Sequence, residues 1–357
     1  MHEQFLLAAL DQARRGRGFC APNPSVGAVA VHQGQIISQA FHRGAGTPHA
    51  EQLLLDELPK NLSDITLYVT LEPCNHWGKT PPCVDAIINY GISRVVYGYN
   101  DPNPTVMANN SSQLLRDKGI EVVYLPLPDI DAFYQSYHYW TLTHKPWVTV
   151  KMAQTIDGKI AGEGGARVSL SNELCAKFTH AKRLQSDVIL TSVRTVNQDN
   201  PLLNVRLPTI EIGKPVAILD RLGRLNPLAT VLTTATHCHI YYDRKKSPPP
   251  LMPHRSYHPV LAMDECLDLA SVIEHLGFLG YHDVWVEAGG AVFSALHKAQ
   301  LVNTTYLYIS PLVLGDKAVS AYHHADIFNQ ARCVRWEVMD DNVIASLDWE
   351  LPLCSPV

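Results

Sequence analysis

Three residues able to hold a metal ion constrain this chain more than any other feature: His49, Cys74 and Cys83, with Glu51 two positions after the histidine. Residues 49–58 have helical apolar spacing, residues 65–71 read as a strand ending just before Cys74, and residues 83–90 read as a second helix ended by Gly91. One histidine and two cysteines suit a catalytic Zn2+, which keeps a fourth position for water, whereas structural zinc sites usually take four protein ligands. A helix start favours anions, so Cys83 is well placed to be a thiolate. Each cysteine follows a proline, in Glu72-Pro73-Cys74 and Pro81-Pro82-Cys83. Glu51 is not needed as a ligand. A carboxylate beside metal-activated water can take its proton and return it to a leaving amine, which is hydrolytic deamination. Taken singly the signals are weak: His-x-Glu is common, and the two cysteines are also compatible with buried thiols. Cys20 could be a fourth ligand and is read as a core thiol.

Around these positions the apolar pattern alternates. Residues 5–15 read as a helix, and 26–31 and 35–41 as strands joined through Gln33-Gly34 in a hairpin. Further strands are expected at 94–97 and 121–125 and helices at 112–117 and 129–141. Such alternation implies a sheet covered by helices. With 357 residues and roughly 150 per domain, two domains are expected. Pro146 ends the preceding helix, which divides the chain into residues 1–145 and 146–357. The second part has helical patterns at 172–185 and 293–300, and strand patterns at 147–153, 188–191, 216–219, 239–242, 284–287, 305–309 and 334–339. The proline-rich stretch 245–259 reads as a surface loop. The order of elements differs between the halves, so two unrelated domains are expected rather than a duplication.

Composition narrows the function classes. Apolar content of 46% and charged content of 18% describe a folded protein with ample core. A net charge of −5 argues against a general nucleic-acid binder. No apolar run approaches the ~20 residues of a membrane span, and the N-terminus lacks a basic stretch followed by a secretory apolar segment. A cytoplasmic protein is the expectation. The 8 scattered cysteines then favour free thiols or a metal site over disulfides.

The second half has no GxGxxG fingerprint, since Gly162-Glu163-Gly164-Gly165-Ala166-Arg167 fails at its last position. A better nucleotide candidate is Val284-Trp285-Val286-Glu287-Ala288-Gly289-Gly290-Ala291-Val292-Phe293, an apolar strand running through paired glycines into a helix. Glycine permits close backbone approach and a helix start presents free N–H groups to a phosphate. The same pattern also serves as a plain turn.

The motifs Pro22-Asn23-Pro24-Ser25-Val26-Gly27, His49-Ala50-Glu51 and Thr70-Leu71-Glu72-Pro73-Cys74 resemble the cytidine deaminase-like superfamily. Its typical member has Cys-x-x-Cys; the longer spacing from Cys74 to Cys83, with Asp101-Pro102-Asn103-Pro104, is similar to the bifunctional deaminase–reductase family of riboflavin biosynthesis. That resemblance covers nearly the whole chain. It implies an N-terminal deaminase-like α/β/α domain acting on a pyrimidine that carries a phosphoribosylamino group, with His49, Cys74 and Cys83 as zinc ligands and Glu51 as proton shuttle. It also implies substrate contacts from Asn23, His42, His76 and Lys79. From the residues alone, Asn23 between prolines is a turn-former and His76 and Lys79 are equally a solvated loop.

The run Lys151–Lys159, the segment Ser186–Ser192 and Thr195-Val196-Asn197-Gln198-Asp199-Asn200-Pro201 resemble the reductase domain of that family, an α/β domain similar to dihydrofolate reductase. The resemblance implies NADPH against Ala153, Thr195, Asp199, Arg221 and the turn and helix Gly289, Gly290, Ala291, Val292, Phe293, Ser294 and Ala295. It implies reductase substrate against Arg183, Leu203, Arg206 and Glu287. Guanidinium binds phosphate bidentately, which suits Arg183 and Arg206 to a 5′-phosphate, and a cation at Arg221 would favour NADPH over NADH. Surface charge is the alternative for Arg183 and Arg206. The family's usual serine and tryptophan before the first reductase helix are replaced by Ala166 and Val168, which removes a polar substrate contact and an aromatic cofactor contact.

The expected activity is zinc-dependent deamination of 2,5-diamino-6-(5-phosphoribosylamino)pyrimidin-4(3H)-one, then NADPH-dependent reduction of its ribosyl group to ribityl. Three rivals stand beside it: a nucleic-acid deaminase with an accessory domain, opposed by the −5 charge; a non-catalytic zinc scaffold; and a deaminase whose reductase half is inactive. The expected partners are small phosphoribosyl pyrimidines, no nucleic acid, no membrane, and a second copy of the chain in a homodimer or larger assembly.

Overall fold

Residues 28–31 show how the first part is layered. Ala28 and Ala30 face one hydrophobic cluster, and Val29 and Val31 another, as the two-residue period of a strand buried on both faces requires. The structure, a computed structural model, describes residues 2–60, 62–77, 81–107, 110–247, 252–263, 266–322 and 333–349. It divides into two compact units, the change-over falling between His144 and Lys145.

The first unit runs α1 (His2–Gly16), β1 (Gly27–His32), β2 (Gln35–Phe41), α2 (Ala50–Glu57), β3 (Thr66–Val69), α3 (Cys83–Tyr90), β4 (Arg94–Tyr97), α4 (Pro104–Met107), α5 (Ser111–Asp117), β5 (Glu121–Tyr124) and α6 (Pro128–Thr143). The strands form one sheet in the order β2-β1-β3-β4-β5. β1 is antiparallel to β2 and β3, and β3, β4 and β5 are parallel. α1 and α6 supply Leu6, Leu10, Ile130 and Tyr134 to one face; α2, α3 and α5 supply Leu54, Ile87 and Leu115 to the other. The sheet covered by helices that the alternation implies is present, with the α/β/α layering that the resemblance implies. Gly27 lets α1 lie directly on β1, because a Cβ there would sit 2.0 Å from the Ala9 carbonyl oxygen. α3 stops at Gly91 in the left-handed region (φ 86°), whose N–H reaches the Ile87 and Ile88 carbonyls.

The second unit continues β6 (Trp147–Thr155), β7 (Lys159–Glu163), α7 (Glu173–Gln185), β8 (Val188–Ser192), α8 (Val193–Asp199), β9 (Val205–Leu207), β10 (Ile210–Ile212), β11 (Pro215–Leu219), α9 (Val231–Thr234) and β12 (His237–Asp243). It ends with β13 (Arg255–Val260), β14 (Ala262–Met263), β15 (Cys266–Leu267), α10 (Leu269–Phe278), β16 (Asp283–Glu287), α11 (Gly290–Lys298), β17 (Thr304–Ser310), β18 (Ala318–Ser320), β19 (Cys333–Met339) and β20 (Asn342–Asp348). Nine strands make its main sheet, in the order β13-β12-β11-β8-β16-β6-β17-β20-β19. The first seven are parallel, and β20 and β19 add antiparallel at one edge. α10 and α11 bury Ile273, Leu276, Phe293 and Leu296 on one face, and Val196 of α8 and Val231 of α9 pack on the other.

One expectation needs correction. The stretch 245–259 was expected to be a loop, but its last part enters β13 at the sheet edge. Pro259 is accommodated there because an edge strand has one side free of ladder bonds. Among the described residues, no helix is long and apolar enough to cross a membrane.

Candidate active sites

In the first unit, three chain segments converge at one end of the sheet. His49 is the N-cap of α2 but makes no side-chain capping bond, so its imidazole remains available. Its Nδ1 lies 3.2 Å from Cys83 Sγ and 3.5 Å from Cys74 Sγ. Cys83 is the first residue of α3, and its backbone N–H donates to Cys74 Sγ at 3.4 Å. All three ligand atoms lie within 4.8 Å of one another, the one such group among the described residues. One imidazole and two thiols, clustered with both sulfurs buried, fit a tetrahedral Zn2+ with one position left over.

The electrostatics suit that ion. The Cys83 thiol beside it, with help from the His49 ring, draws the Cys74 thiol down despite burial. Cys83 is pushed up by its neighbour Cys74 and by burial; a divalent cation reverses that by stabilising both thiolates. The bond to Cys74 raises His49 to about 8. Glu51 is 3% exposed and burial raises its carboxyl above the ordinary range. A carboxyl that burial biases towards its protonated form holds a proton more readily than a free one, which suits a proton shuttle.

Asn23 and His42 come together beside this centre. His42 Nδ1 donates to the Pro48 carbonyl at 3.1 Å, which leaves Nε2 to accept from Asn23 Nδ2 at 3.2 Å. Burial lowers the His42 pKa, and its ring sits edge-on to His49, centroids 5.4 Å apart. His76 is half-buried with Nδ1 unpartnered. Lys79 lies outside the described residues. Cys20 is a core thiol, as expected, donating to the Gly16 and His42 carbonyls at 3.2 and 3.1 Å. Reading the residues one by one did not single out Asp101. It is buried and raised to about 6 by burial, against hydrogen bonds from the Asn103 N–H (2.9 Å) and the Tyr137 hydroxyl (3.0 Å). Its available signal was a carboxylate inside Asp-Pro-Asn-Pro, where a turn would ordinarily expose it.

The second unit encloses a cavity of about 1020 Å³ at the carboxyl ends of its central strands. Ala153 of β6 and Thr195 and Asp199 of α8 line it, and so does the start of α11, Gly289 to Val292. Gly289 is the N-cap of α11 with open space where a Cβ would stand. The turn thus presents backbone N–H groups to a phosphate, which fits a dinucleotide. Arg183, Leu203 and Glu287 share the wall. Arg206, Arg221, Phe293, Ser294 and Ala295 do not: Phe293 is fully buried in the hydrophobic core, and Arg206 bonds to Asn204 Oδ1.

Arg183 of α7 donates from Nε and Nη2 to the two oxygens of Glu287 at 2.6 and 2.9 Å, and from Nη1 to the Asn204 carbonyl at 2.8 Å. Its fork is filled from within the chain. Burial alone would raise Glu287; the adjacent Arg183, Lys151 and the Trp285 N–H instead hold it at about 2. Lys151 lines the same cavity, its ammonium 5.0 Å from the Tyr308 ring centroid and lowered by burial. It was not among the expected site residues, although a lone lysine between Val150 and Met152 in a central strand was a legible sign. Ala166 and Val168 lie in the turn after β7, where Val168 lines the cavity with Ser169 and Ser171, so hydroxyls remain on the wall that has lost its usual serine.

Geometry and comparison agree on the class: a zinc-binding deaminase region followed by a reductase domain that uses NADPH. Residues 1–99 match the cytidine and deoxycytidylate deaminase zinc-binding region, and residues 146–345 match the RibD C-terminal domain. The riboflavin biosynthesis protein RibD of Aquifex aeolicus is 33% identical over 315 residues, covering 88% of each chain. That of Escherichia coli is 32% identical over 336 residues, 88% of this chain and 89% of the other. A solved Thermotoga maritima structure, described as a diaminohydroxyphosphoribosylaminopyrimidine deaminase/5-amino-6-(5-phosphoribosylamino)uracil reductase, matches with TM-score 0.85 and 30% identity over 97% of this chain and 98% of that one. The chain belongs to the RibD family, and is a bifunctional deaminase and reductase of riboflavin biosynthesis.

Proposed function

We propose that the first unit deaminates 2,5-diamino-6-(5-phosphoribosylamino)pyrimidin-4(3H)-one, and that the second reduces the ribosyl group of the product to ribityl. The observation that carries this is the His49, Cys74 and Cys83 cluster closing beside buried Glu51. In the first unit, His49, Cys74 and Cys83 would hold the ion, which would supply Lewis-acid activation of water. Glu51, buried beside them, would take up the proton of the attacking water and return it to the departing amine. The Asn23–His42 pair supports a role in holding the pyrimidine edge: its bond fixes the Asn23 amide, leaving the Oδ1 acceptor and one N–H of Asn23 for a ligand. His76, with its unpartnered nitrogen, and Lys79 serve the phosphoribosyl group.

In the second unit, NADPH bound in this cavity would supply the hydride for C1′ of the substrate. Thr195, Asp199 and the start of α11 would position the cofactor, and Lys151, Glu287 and Leu203, on the wall of the same cavity, would face the substrate. Arg183 acts by holding Glu287 ionised, a role different from the direct phosphate contact expected of it. The test is metal analysis combined with coupled turnover of the diaminopyrimidine. One equivalent of zinc, ammonia release without NADPH, and NADPH oxidation only after deamination are expected; ammonia release from metal-free protein would refute the assignment.

The protein works as a homo-oligomer in the cytoplasm. Supporting the second copy is β19, an edge strand whose Val334, Trp336 and Val338 stand exposed on one side, Trp336 at 66% and Val338 at 75%. An apolar edge strand invites pairing with its own copy across a two-fold axis. The free state of all the described cysteines supports a reducing compartment.

A further inference from the structure

Four cationic side chains reach the wall of the reductase cavity: Lys151, Arg167, Arg183 and Arg194. Two are committed inside the protein, Arg183 by its bidentate pair with Glu287 and Lys151 by its burial beside both of them. Arg167 and Arg194 are different. Both are exposed, and among the described residues neither takes part in an ion pair. They come from separate segments, Arg167 from the turn that follows β7 and Arg194 from the first turn of α8.

The two segments are tied together. Gln198 Nε2 on α8 donates to the Gly165 carbonyl at 3.2 Å, and the turn is closed by Gly162 N–H to the Ala166 carbonyl at 2.8 Å. Arg194 and Gln198 are four residues apart on one helix, hence on one face. Arg167 and Arg194 thus flank the junction this bond makes, and both line the same cavity. Two guanidinium groups on a cavity wall with no carboxylate partner recognise a doubly charged phosphate.

We propose that Arg167 and Arg194 together bind a phosphate monoester at the mouth of the reductase cavity. This rests on the second unit being the reductase. Two sources offer that chemistry: the 2′-phosphate that distinguishes NADPH from NADH, and the 5′-phosphate of the pyrimidine. Arg221, the cation expected from sequence to select NADPH, is absent from this wall.

The experiment compares the full-length protein with Arg167→Gln, Arg194→Gln and the double variant. Calorimetric titration with 2′,5′-ADP and with ribose 5-phosphate needs no turnover, and reductase KM values are measured with NADPH, NADH and the deaminated substrate. If the pair holds the cofactor, 2′,5′-ADP affinity falls at least tenfold and the NADPH preference over NADH collapses. If it holds the substrate, ribose 5-phosphate affinity falls and substrate KM rises at least tenfold, with the cofactor preference kept. Changes within twofold in both titrations and all KM values overturn the proposal. Arg194→Lys keeps the charge but not the fork, and is expected to fall between; ammonia release by the first unit stays unchanged and reports folding. Absence of NADPH oxidation by the unsubstituted protein would count against the reductase assignment, while the titrations would still judge the pair.

Discussion

At the scale of single residues, both proposed centres depend on carboxylates whose surroundings push them in opposite directions. Burial holds Glu51 above its ordinary range, and Arg183 holds Glu287 down at about 2 against the pull of burial. Glu51→Gln keeps the size of the side chain and leaves the three ligands intact. It is expected to retain zinc by elemental analysis and to lose ammonia release by roughly 10²–10⁴-fold; retained turnover would remove Glu51 from the mechanism. Glu287→Gln strands a largely buried guanidinium, a loss of about 3–5 kcal/mol that denaturant unfolding of the second unit would register. Because its folded pKa is about 2, below the ordinary 4.5, Glu287 contributes stability, about 3 kcal/mol, that is present above pH 4.5 and fades as pH falls towards 2. The three metal ligands and Glu51 were legible in the sequence because each sits at a helix start or strand end that the apolar pattern marks. The Arg183–Glu287 pair was not legible as a pair: its members are 104 residues apart, and no local pattern records a partner at that distance. Phe293, a position matched to a cofactor segment, packs its ring in the core, which leaves only its backbone for a cofactor.

Elements carry the acid response. β12 and β13 are joined side by side through histidines: His239 Nδ1 and His258 Nε2 lie 3.1 Å apart, and His258 and the His275 ring of α10 have centroids 4.4 Å apart. Facing this stack are His237 and Tyr241 from β12, Tyr281 after α10, and His254 near His237. Among the described residues, burial and other imidazoles, with no carboxylate, set the balance at His239 and His258. Burial first, and the neighbouring imidazoles second, lower His239 to about 3 and His258 to about 4. Both folded values lie below the ordinary 6.5, so the unfolded chain binds protons first, and stability falls as pH drops through 6.5 towards 4. The melting temperature of the second unit is expected to drop between pH 7.5 and 5, by about 2–4 °C per kcal/mol lost. His258→Phe keeps a ring in the stack and flattens that slope; parallel pH profiles for the two proteins would show the stack to be silent. The edge strand β13 was hidden in the sequence because prolines between 248 and 259 read as loop punctuation, and only sheet-edge placement makes Pro259 acceptable. β1, by contrast, was plain from its unbroken apolar run.

For the whole molecule, two separately cored units predict separable activities. Chelation is expected to abolish ammonia release while NADPH oxidation on the deaminated intermediate stays within twofold, because the metal ligands all belong to the first unit. Parallel loss of both activities would show that the units are not independent. Trp336→Glu on the exposed edge is expected to shift light-scattering mass towards the monomer, leaving the melting temperature of each unit nearly unchanged. The sheet order has a consequence for birth on the ribosome. Every strand partner in the first unit lies between residues 27 and 124, whereas β6, ending at Thr155, lies between β16, starting at Asp283, and β17. That is 283 − 155 = 128 residues of waiting, about 6–26 s at ~5–20 residues per second. The deaminase unit can close before its successor has a central strand pair. In that interval the apolar run 147–155 is the segment most in need of a chaperone, and slowing translation between 156 and 282 is expected to send more of the nascent chain into aggregates.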